Sequence, residues 1–558
     1  MATSSPPEII VPAKPSSPEV LARLFPGLKP PPSVLAPTRI ANNGPDALAA
    51  LLTALRDNHE RSHVFFNQFS FHNHSTHHLL AIYALGAPGP VITAAYELTH
   101  LDHQRIAFVA PENVVITDDN FTDYLGNDQN YNAYLDYFHC IVLQPGATIP
   151  DIIEKYIFSD YYNIRMPKEG TQQPEMLNRF LEILLHPIIH VGYGAEFGLL
   201  GMIAEGTELI RSTATSVHPP VAGLAWTAVH PAGATTLISR LLFTPERTTP
   251  LTELEKQEPE WMPKSGTRLR ALNILSLMLR DTRFFGSRVL DKHEFAAMLE
   301  SHGEIFNKYA EMWDCNIENQ EDLEKYLEEI IFADMLMYGV GSWDGDDAEY
   351  RADFFTGHIV TSALFLPSLC AHISRRSQTL LLRAHFLTSI TWWVVRGRSP
   401  FPLKEFTATP LPPFPNSPSA KHSTTLPGPQ PAAASDALPS PNSPYALVPN
   451  PWYPILANAI VHPNEHLCKF QRALAHFATL YGHRQAGFVM ESLSKDGVDV
   501  DPNYAYLDGS VFLRVAWLTS AALGWVVQGE ANTGIWNYQE FEQKAYDDLA
   551  MLEAQGKA

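Results

Sequence analysis

The sequence predicts a mainly α protein: a single large multi-helical, bundle-like domain interrupted by a proline-rich insertion. Three observations carry that prediction. Apolar residues recur with helical period over most of the chain, as in "NRFLEILLHPIIHVGYGAEFGLLGMIAEGTELI", which puts Leu181, Leu185, Ile188 and Ile189 on one face. Alternating strand patterns are scarce, "RIAFVAPENVVITDD" being the nearest. No sequence repeat of the kind that builds solenoids or propellers stands out.

Taken in chain order, residues 1–45 are rich in Pro and Ser, including "GLKPPPSVLAP", and read as an extended arm with one short helix at "PEVLARLF". Residues 46–404 form the first part of the helical domain. Within it, "EDLEKYLEEIIFADMLMYGVG" sets charged residues against Leu323, Leu327, Ile330 and Ile331, and "LNILSLMLRDTRFF" behaves alike. Between Pro400 and Pro454 the chain spends 16 of its 45 prolines. Proline lacks a backbone N–H and clashes with the preceding turn, so this stretch cannot build a packed helix or a central strand. Residues 405–450 are therefore expected to be a flexible low-complexity insertion. Helical sequence resumes over 451–558 with "ILANAIVHPNEHLCKFQRALAHFATLYG" and "GSVFLRVAWLTSAALGWVVQG", so the insertion interrupts one fold and does not join two.

Composition narrows the function classes. The chain has 558 residues, 45% of them hydrophobic, which is a globular balance. Its formal net charge of -21 repels nucleic-acid phosphates and anionic headgroups, so neither nucleic acid nor membrane is an expected partner. Cys140, Cys315, Cys370 and Cys468 are far apart, with no CxxC pair, which excludes a zinc ribbon or a disulfide framework. "MATSSPPEIIVPAKPSS" lacks the pattern of a secretory signal, and the longest apolar runs, such as "FLTSITWWVV", are too short to span a bilayer. A cytoplasmic protein is expected, with its oligomeric state left open. Common cofactor fingerprints are missing: "GYGAEFG" at 192–198 has the wrong spacing for GxGxxG and lies in a helical run, and there is no GxxxxGK[ST], HExxH or GxSxG. "HGE" at 302–304 matches half of a facial triad, but in a helical neighbourhood.

Histidine is where the chain is unusual. "FHNHSTHHLLAIYALGA" holds His72, His74, His77 and His78, with Asn73 placed to cap a helix. On a helix His74 and His78 share a face, and so do His74 and His77. Exposed imidazoles at a polar helix start are the ordinary alternative, for His72 above all. "LLHPIIHVGYGAEF" sets His186 and His190 one turn apart among Leu and Ile, with Tyr193 and Glu196 a turn further on; a buried His–Glu hydrogen-bond pair is as good a reading as ligation. "DFFTGHIVTSALFLPSL" places His358 alone in an apolar helix, where a satisfied core histidine is usual. "HPNEHLCKFQRAL" carries His462, Glu465, His466 and Lys469, with Pro463 suited to a first helical turn. Together, four helices of one α domain each offer an inward His, which is how helix bundles build metal sites. Imidazole-rich ligation suits Fe, Zn, Cu or Ni, not Mg or Ca.

These four motifs, in this order, resemble those of the questin oxidase-like family, fungal oxygenases that include the ring-cleaving oxidoreductase of aflatoxin biosynthesis. The resemblance runs from about residue 46 to 550, with the proline-rich segment looking like an insertion. It implies a mainly α fold and oxidative cleavage of a polycyclic aromatic ketone, typically an anthraquinone, with O₂ as co-substrate. It further implies either a non-haem Fe(II) centre or an NADPH-dependent Baeyer–Villiger-type step. A binding protein that carries out no reaction is the third reading. Carried onto this chain, the metal ligands would be His74, His186, His358, His466 and Lys469, the last as a CO₂-derived carbamate. Burial would favour the neutral amine that reaction needs. His190, Tyr193 and Glu196 are the candidate bases for ionising a phenol.

Overall fold

The computed structural model describes residues 17–41, 44–62, 72–100, 114–164, 173–204, 224–229, 256–264, 266–284, 294–345, 350–409, 450–527, 529–531 and 534–538. Among these there is no β-strand; pairing is limited to isolated bridges such as Leu269–Trp313 and Asp353–Asn537. The expected mainly α class is what the chain adopts. The weak strand candidate at 105–119 and the proline-rich residues 410–449 lie largely or wholly outside the described residues. No helix among the described residues is long and apolar enough to cross a membrane.

Four helices position the site: α3 (Ser75–Ala84), α7 (Met176–Phe197), α13 (Phe354–Ala363) and α18 (Glu465–Tyr481). They form a closed ring, α3 on α7, α7 on α13, α13 on α18 and α18 on α3. Outer helices complete the body. α2 (Pro45–Arg61) backs α3, α12 (Gln320–Met335) and α15 (Arg375–Val395) back α13, and α20 (Val511–Leu523) backs α18.

The ring helices are central, and α3 and α13 are buried over nearly their whole length. Every residue of α3 is buried, histidines included, as expected for a helix that is apolar nearly all round. α12 is the contrasting case: a capping box of Asn319 and Asp322 starts it, Leu323, Leu327, Ile330 and Ile331 are buried, and of its charged residues only Asp334 is fully buried. α7 ends at Gly198, whose φ of 73° is the left-handed conformation helix ends favour. Gly192 within α7 has a different task. A Cβ there would lie 2.4 Å from Phe365 Cβ, so the missing side chain lets the Phe365 turn approach.

Two details differ from the sequence reading, at the start of the insertion and at Pro463. The packed chain continues past residue 404: Leu403–Ala408 is helical, Phe406 is buried, and Arg514 donates to the carbonyls of Phe406 and Thr409. The short helix expected in the N-terminal arm is present. Helix α1 (Pro18–Leu24) buries Val20, Leu21 and Leu24, and Lys29 N–H donates to Phe197 O at the end of α7. Pro463 precedes the first turn of α18, because Asn464 is the capping residue and accepts from His466 N–H.

Candidate metal centre

Each ring helix delivers its histidine near a terminus or a distortion. His74 immediately precedes α3. Asn73 Oδ1 accepts from Ser75 N–H at 2.9 Å, and Asn73 Nδ2 donates to Asn58 Oδ1 on α2 at 3.0 Å, so the residue before the histidine is pinned on both sides. His186 lies where α7 is strained. Leu184 and Leu185 have φ of 55° and 61°, and Pro187 follows. Left-handed φ at a non-glycine residue costs about 1–3 kcal/mol and concentrates at functional sites. His358 is one turn into α13, which Asp353 caps by accepting from Thr356 N–H while paired with the buried Arg396. His466 occupies the first turn of α18, with Lys469 on the next.

The side chains converge. His74 Nε2 and His186 Nε2 are 2.9 Å apart. Ring centroids are 4.8 Å apart for His186 and His358, 5.2 Å for His358 and His466, and 4.6 Å for His74 and His466. Three overlapping groups have ligand atoms within 4.8 Å of one another: His72, His74 and His186; His186, His358 and His466; His74, Glu465 and His466. All of these except the half-buried Glu465 are buried. His358 Nδ1 is engaged by Phe354 O at 2.7 Å, whereas His358 Nε2, His466 Nε2 and Lys469 Nζ are buried without a hydrogen-bond partner.

The electrostatics favour neutral imidazoles. Burial pulls the pKa of His358 down to about 3, and that of His74, His186 and His466 down as well, with neighbouring Lys469 or histidines adding to the effect. Burial also lowers Lys469 to about 8, with Glu465 opposing. Burial pushes the Glu465 carboxyl up, but His466, His74 and Lys469 outweigh it and hold it well below the usual carboxylate range. A neutral imidazole keeps the lone pair a metal needs.

These observations fit a metal ion. Buried polar atoms are ordinarily satisfied, and here His358 Nε2, His466 Nε2 and Lys469 Nζ, whose charge bears on both imidazoles, are not. Two nitrogens bound at about 2.1 Å would lie about 3.0 Å apart in adjacent octahedral positions and about 3.4 Å apart in tetrahedral ones, and His74 and His186, at 2.9 Å, are near the octahedral spacing. The donor set, imidazole-rich with one carboxylate nearby, is that of a transition metal.

The expected base residues lie beside this centre. His190 Nδ1 and His77 Nε2 are 2.9 Å apart, and Tyr193 stacks on His77 with centroids 5.5 Å apart. Glu196 is instead engaged by Arg472, both fully buried, which matches neither a free base nor the expected His–Glu pair. His72, His77 and His78 are all buried, not the exposed imidazoles of a polar helix start. Sequence reasoning left out two residues that the metal groups include, His72 and Glu465. His72 has its ring 4.3 Å from that of His186. Its HxH spacing with His74 was the available signal. Glu465 reads in sequence as a carboxylate suited to a helix N-terminus. His302 is structural, its Nε2 facing Arg283 O and its Nδ1 facing Ser301 Oγ.

Fold and site define a mainly α protein built around a buried polyhistidine centre. The chain belongs to the questin oxidase-like family, whose profile matches residues 71–474 and so spans all four ring-helix histidines and Lys469. Similar proteins include the Baeyer-Villiger monooxygenase AacuH of Aspergillus aculeatus, 29% identical over 29% of this chain and 32% of that protein. The questin oxidase of Aspergillus fumigatus is 28% identical over 31% of this chain and 37% of its own length. A longer alignment joins the chain to the Baeyer-Villiger monooxygenase dmxR6 of Cryptosporiopsis sp., 24% identical over 66% of this chain and 74% of that protein. The first of these alignments spans only about a third of the relative's length.

Proposed function

We propose that this protein is an oxidoreductase of fungal secondary metabolism that uses O₂ to cleave a ring of a flat polycyclic aromatic ketone of the anthraquinone type. A metal ion, Fe(II) by donor type, would be held by His74, His186, His358, His466 and Lys469. The observation that carries this reading is the convergence of His186, His358 and His466, with His358 Nε2, His466 Nε2 and the neighbouring Lys469 Nζ all buried without a hydrogen-bond partner. When bound, a redox-active metal of this kind supplies the one-electron chemistry that lets O₂ react with an organic substrate.

The chain's own residues have definable tasks. Burial keeps the imidazoles neutral, and the closed helical ring excludes water from them. With its pKa near 8, Lys469 holds a usable fraction of neutral amine at neutral pH. That amine adds to CO₂ with loss of one proton and becomes a carbamate, an anionic oxygen donor. The His77–His190 pair, linked ring to ring, orients His77 so that its unpartnered Nδ1 can accept a hydrogen bond from a phenol. Tyr193 walls this pair, and Glu196 is held by Arg472.

The test is elemental analysis of protein purified without added metal, beside a chelator-treated control and the His358→Ala, His466→Ala and Lys469→Ala variants. About one metal per wild-type chain is expected, with loss in each variant. Full metal content in all three variants would sink the ligand assignment. A second reading is a metal-independent, NADPH-consuming oxygen insertion beside a carbonyl followed by ring opening, of the Baeyer-Villiger type for which relatives are named. Activity that survives exhaustive chelation, with NADPH consumed in proportion to product, would establish that reading instead.

A further inference from the structure

The ligand set proposed above leaves out the carboxylate nearest to it. Glu465 opens α18, and its Oε1 lies 3.2 Å from His74 Nδ1 and 3.4 Å from His466 Nδ1. One oxygen thus faces two imidazoles that come from different helices. Across the same rings, His74 Nε2 faces His186 Nε2 at 2.9 Å, and His466 Nε2 is buried without a hydrogen-bond partner. His358 follows the same pattern with a backbone oxygen: its Nδ1 is on Phe354 O and its Nε2 is unpartnered. Three rings therefore have an oxygen facing Nδ1, and two of them, His358 and His466, have Nε2 buried without a hydrogen-bond partner.

A neutral imidazole carries one N–H. An acceptor at Nδ1 keeps the proton there and leaves the lone pair on Nε2, which is how outer carboxylates fix the tautomer and rotation of metal-binding histidines. Favourable placement at a helix N-terminus explains why a glutamate is tolerated at this position. It does not explain why one of its oxygens is shared between two Nδ1 atoms.

We propose that Glu465 is a positioning residue whose Oε1 accepts the Nδ1–H of both His74 and His466, holding both rings as Nε2 donors and tying α3 to α18 at the centre without itself binding the metal. This inference rests on the metal-centre reading and deepens it. In the alternative, Oε1 is itself a ligand together with the two Nδ1 atoms.

Two variants separate these cases: Glu465→Gln, which keeps an acceptor oxygen of the same reach, and Glu465→Ala, which removes it. Affinity for Fe(II) and Co(II) is measured by competition with a chromophoric chelator. The Co(II) absorption spectrum reports coordination number, and ¹⁵N NMR of histidine-labelled, metal-free protein reports which ring nitrogen carries the proton. Expected are a loss of about 10–100-fold in affinity for Glu465→Ala, a smaller loss for Glu465→Gln, and an unchanged Co(II) spectrum in both. In the metal-free spectra, two Nδ1–H imidazoles should change tautomer in Glu465→Ala and keep it in Glu465→Gln. Affinity within twofold of wild type in Glu465→Ala overturns the proposal, and so does a changed Co(II) coordination number in Glu465→Gln, which would make Glu465 a ligand. Should wild type bind neither metal, the metal reading fails, and the tautomer readout decides alone: two rings shifting in Glu465→Ala support the positioning role, and unchanged rings refute it.

Discussion

Replacing Lys469 by methionine should stabilise the metal-free protein while removing its capacity to take up metal. Lys469 Nζ is buried without a hydrogen-bond partner, and burial lowers its pKa from 10.5 to about 8. Below pH 8 the ammonium is charged in both folded and unfolded chains, and only the folded chain bears the desolvation cost. That cost at pH 7 is about 3 kcal/mol, from roughly 1.4 kcal/mol per pKa unit. Between pH 8 and 10.5 the unfolded chain binds more protons than the folded one, so wild-type stability rises with pH and the advantage of methionine shrinks. By pH 9 it is about 2 kcal/mol, and above pH 10.5 it approaches zero. Methionine has similar length and no charge, and apolar replacement of buried ionic groups is commonly stabilising. The assay is the thermal midpoint of both proteins from pH 7 to 10.5, in chelator and CO₂-depleted buffer, with metal uptake measured in parallel. A Lys469→Met midpoint at or below wild type at pH 7 would refute the reasoning, because it would mean the ammonium has a compensating partner.

The buried Arg472–Glu196 pair should be costly to break: Arg472→Met leaves a carboxyl buried alone and should destabilise by about 3–5 kcal/mol, read as a large fall in thermal midpoint, while an unchanged midpoint would mean the pair is not closed to solvent. Gly192→Ala should cost about 1–3 kcal/mol by overpacking against Phe365; wild-type stability would contradict the close approach. The metal-free protein should be acid-labile. Burial holds His358 and His190 at about 3 and His78 at about 4, so as pH falls below 6.5 the unfolded chain takes up protons first. Each such histidine then removes about 1.4 kcal/mol per pH unit until its folded pKa is reached. A thermal midpoint that stays constant from pH 7 to 5 would refute this.

The sequence by itself determined the helical class, because period-3.6 runs such as Leu323, Leu327, Ile330 and Ile331 encode which face is buried without reference to any other element. It also marked the four segments that carry the central histidines, since an imidazole amid Leu and Ile is conspicuous wherever the helix goes. It did not determine how those residues are paired. His77 meets His190, and Arg472 takes Glu196, through helix contacts between residues more than a hundred positions apart. Nor did local pattern separate exposed from buried imidazoles in "HNHSTHH": one face of an isolated helix start reads as solvent, and only the closure of α3 against α7 and α18 removes it from water. The role of Glu465 is the clearest case. Its neighbours in sequence mark it as a helix-start carboxylate, whereas the shared contact with His74 and His466 exists only because α3 arrives beside α18. Periodicity is a local property of the chain, but a site assembled from four helices depends on long-range packing that local pattern does not encode.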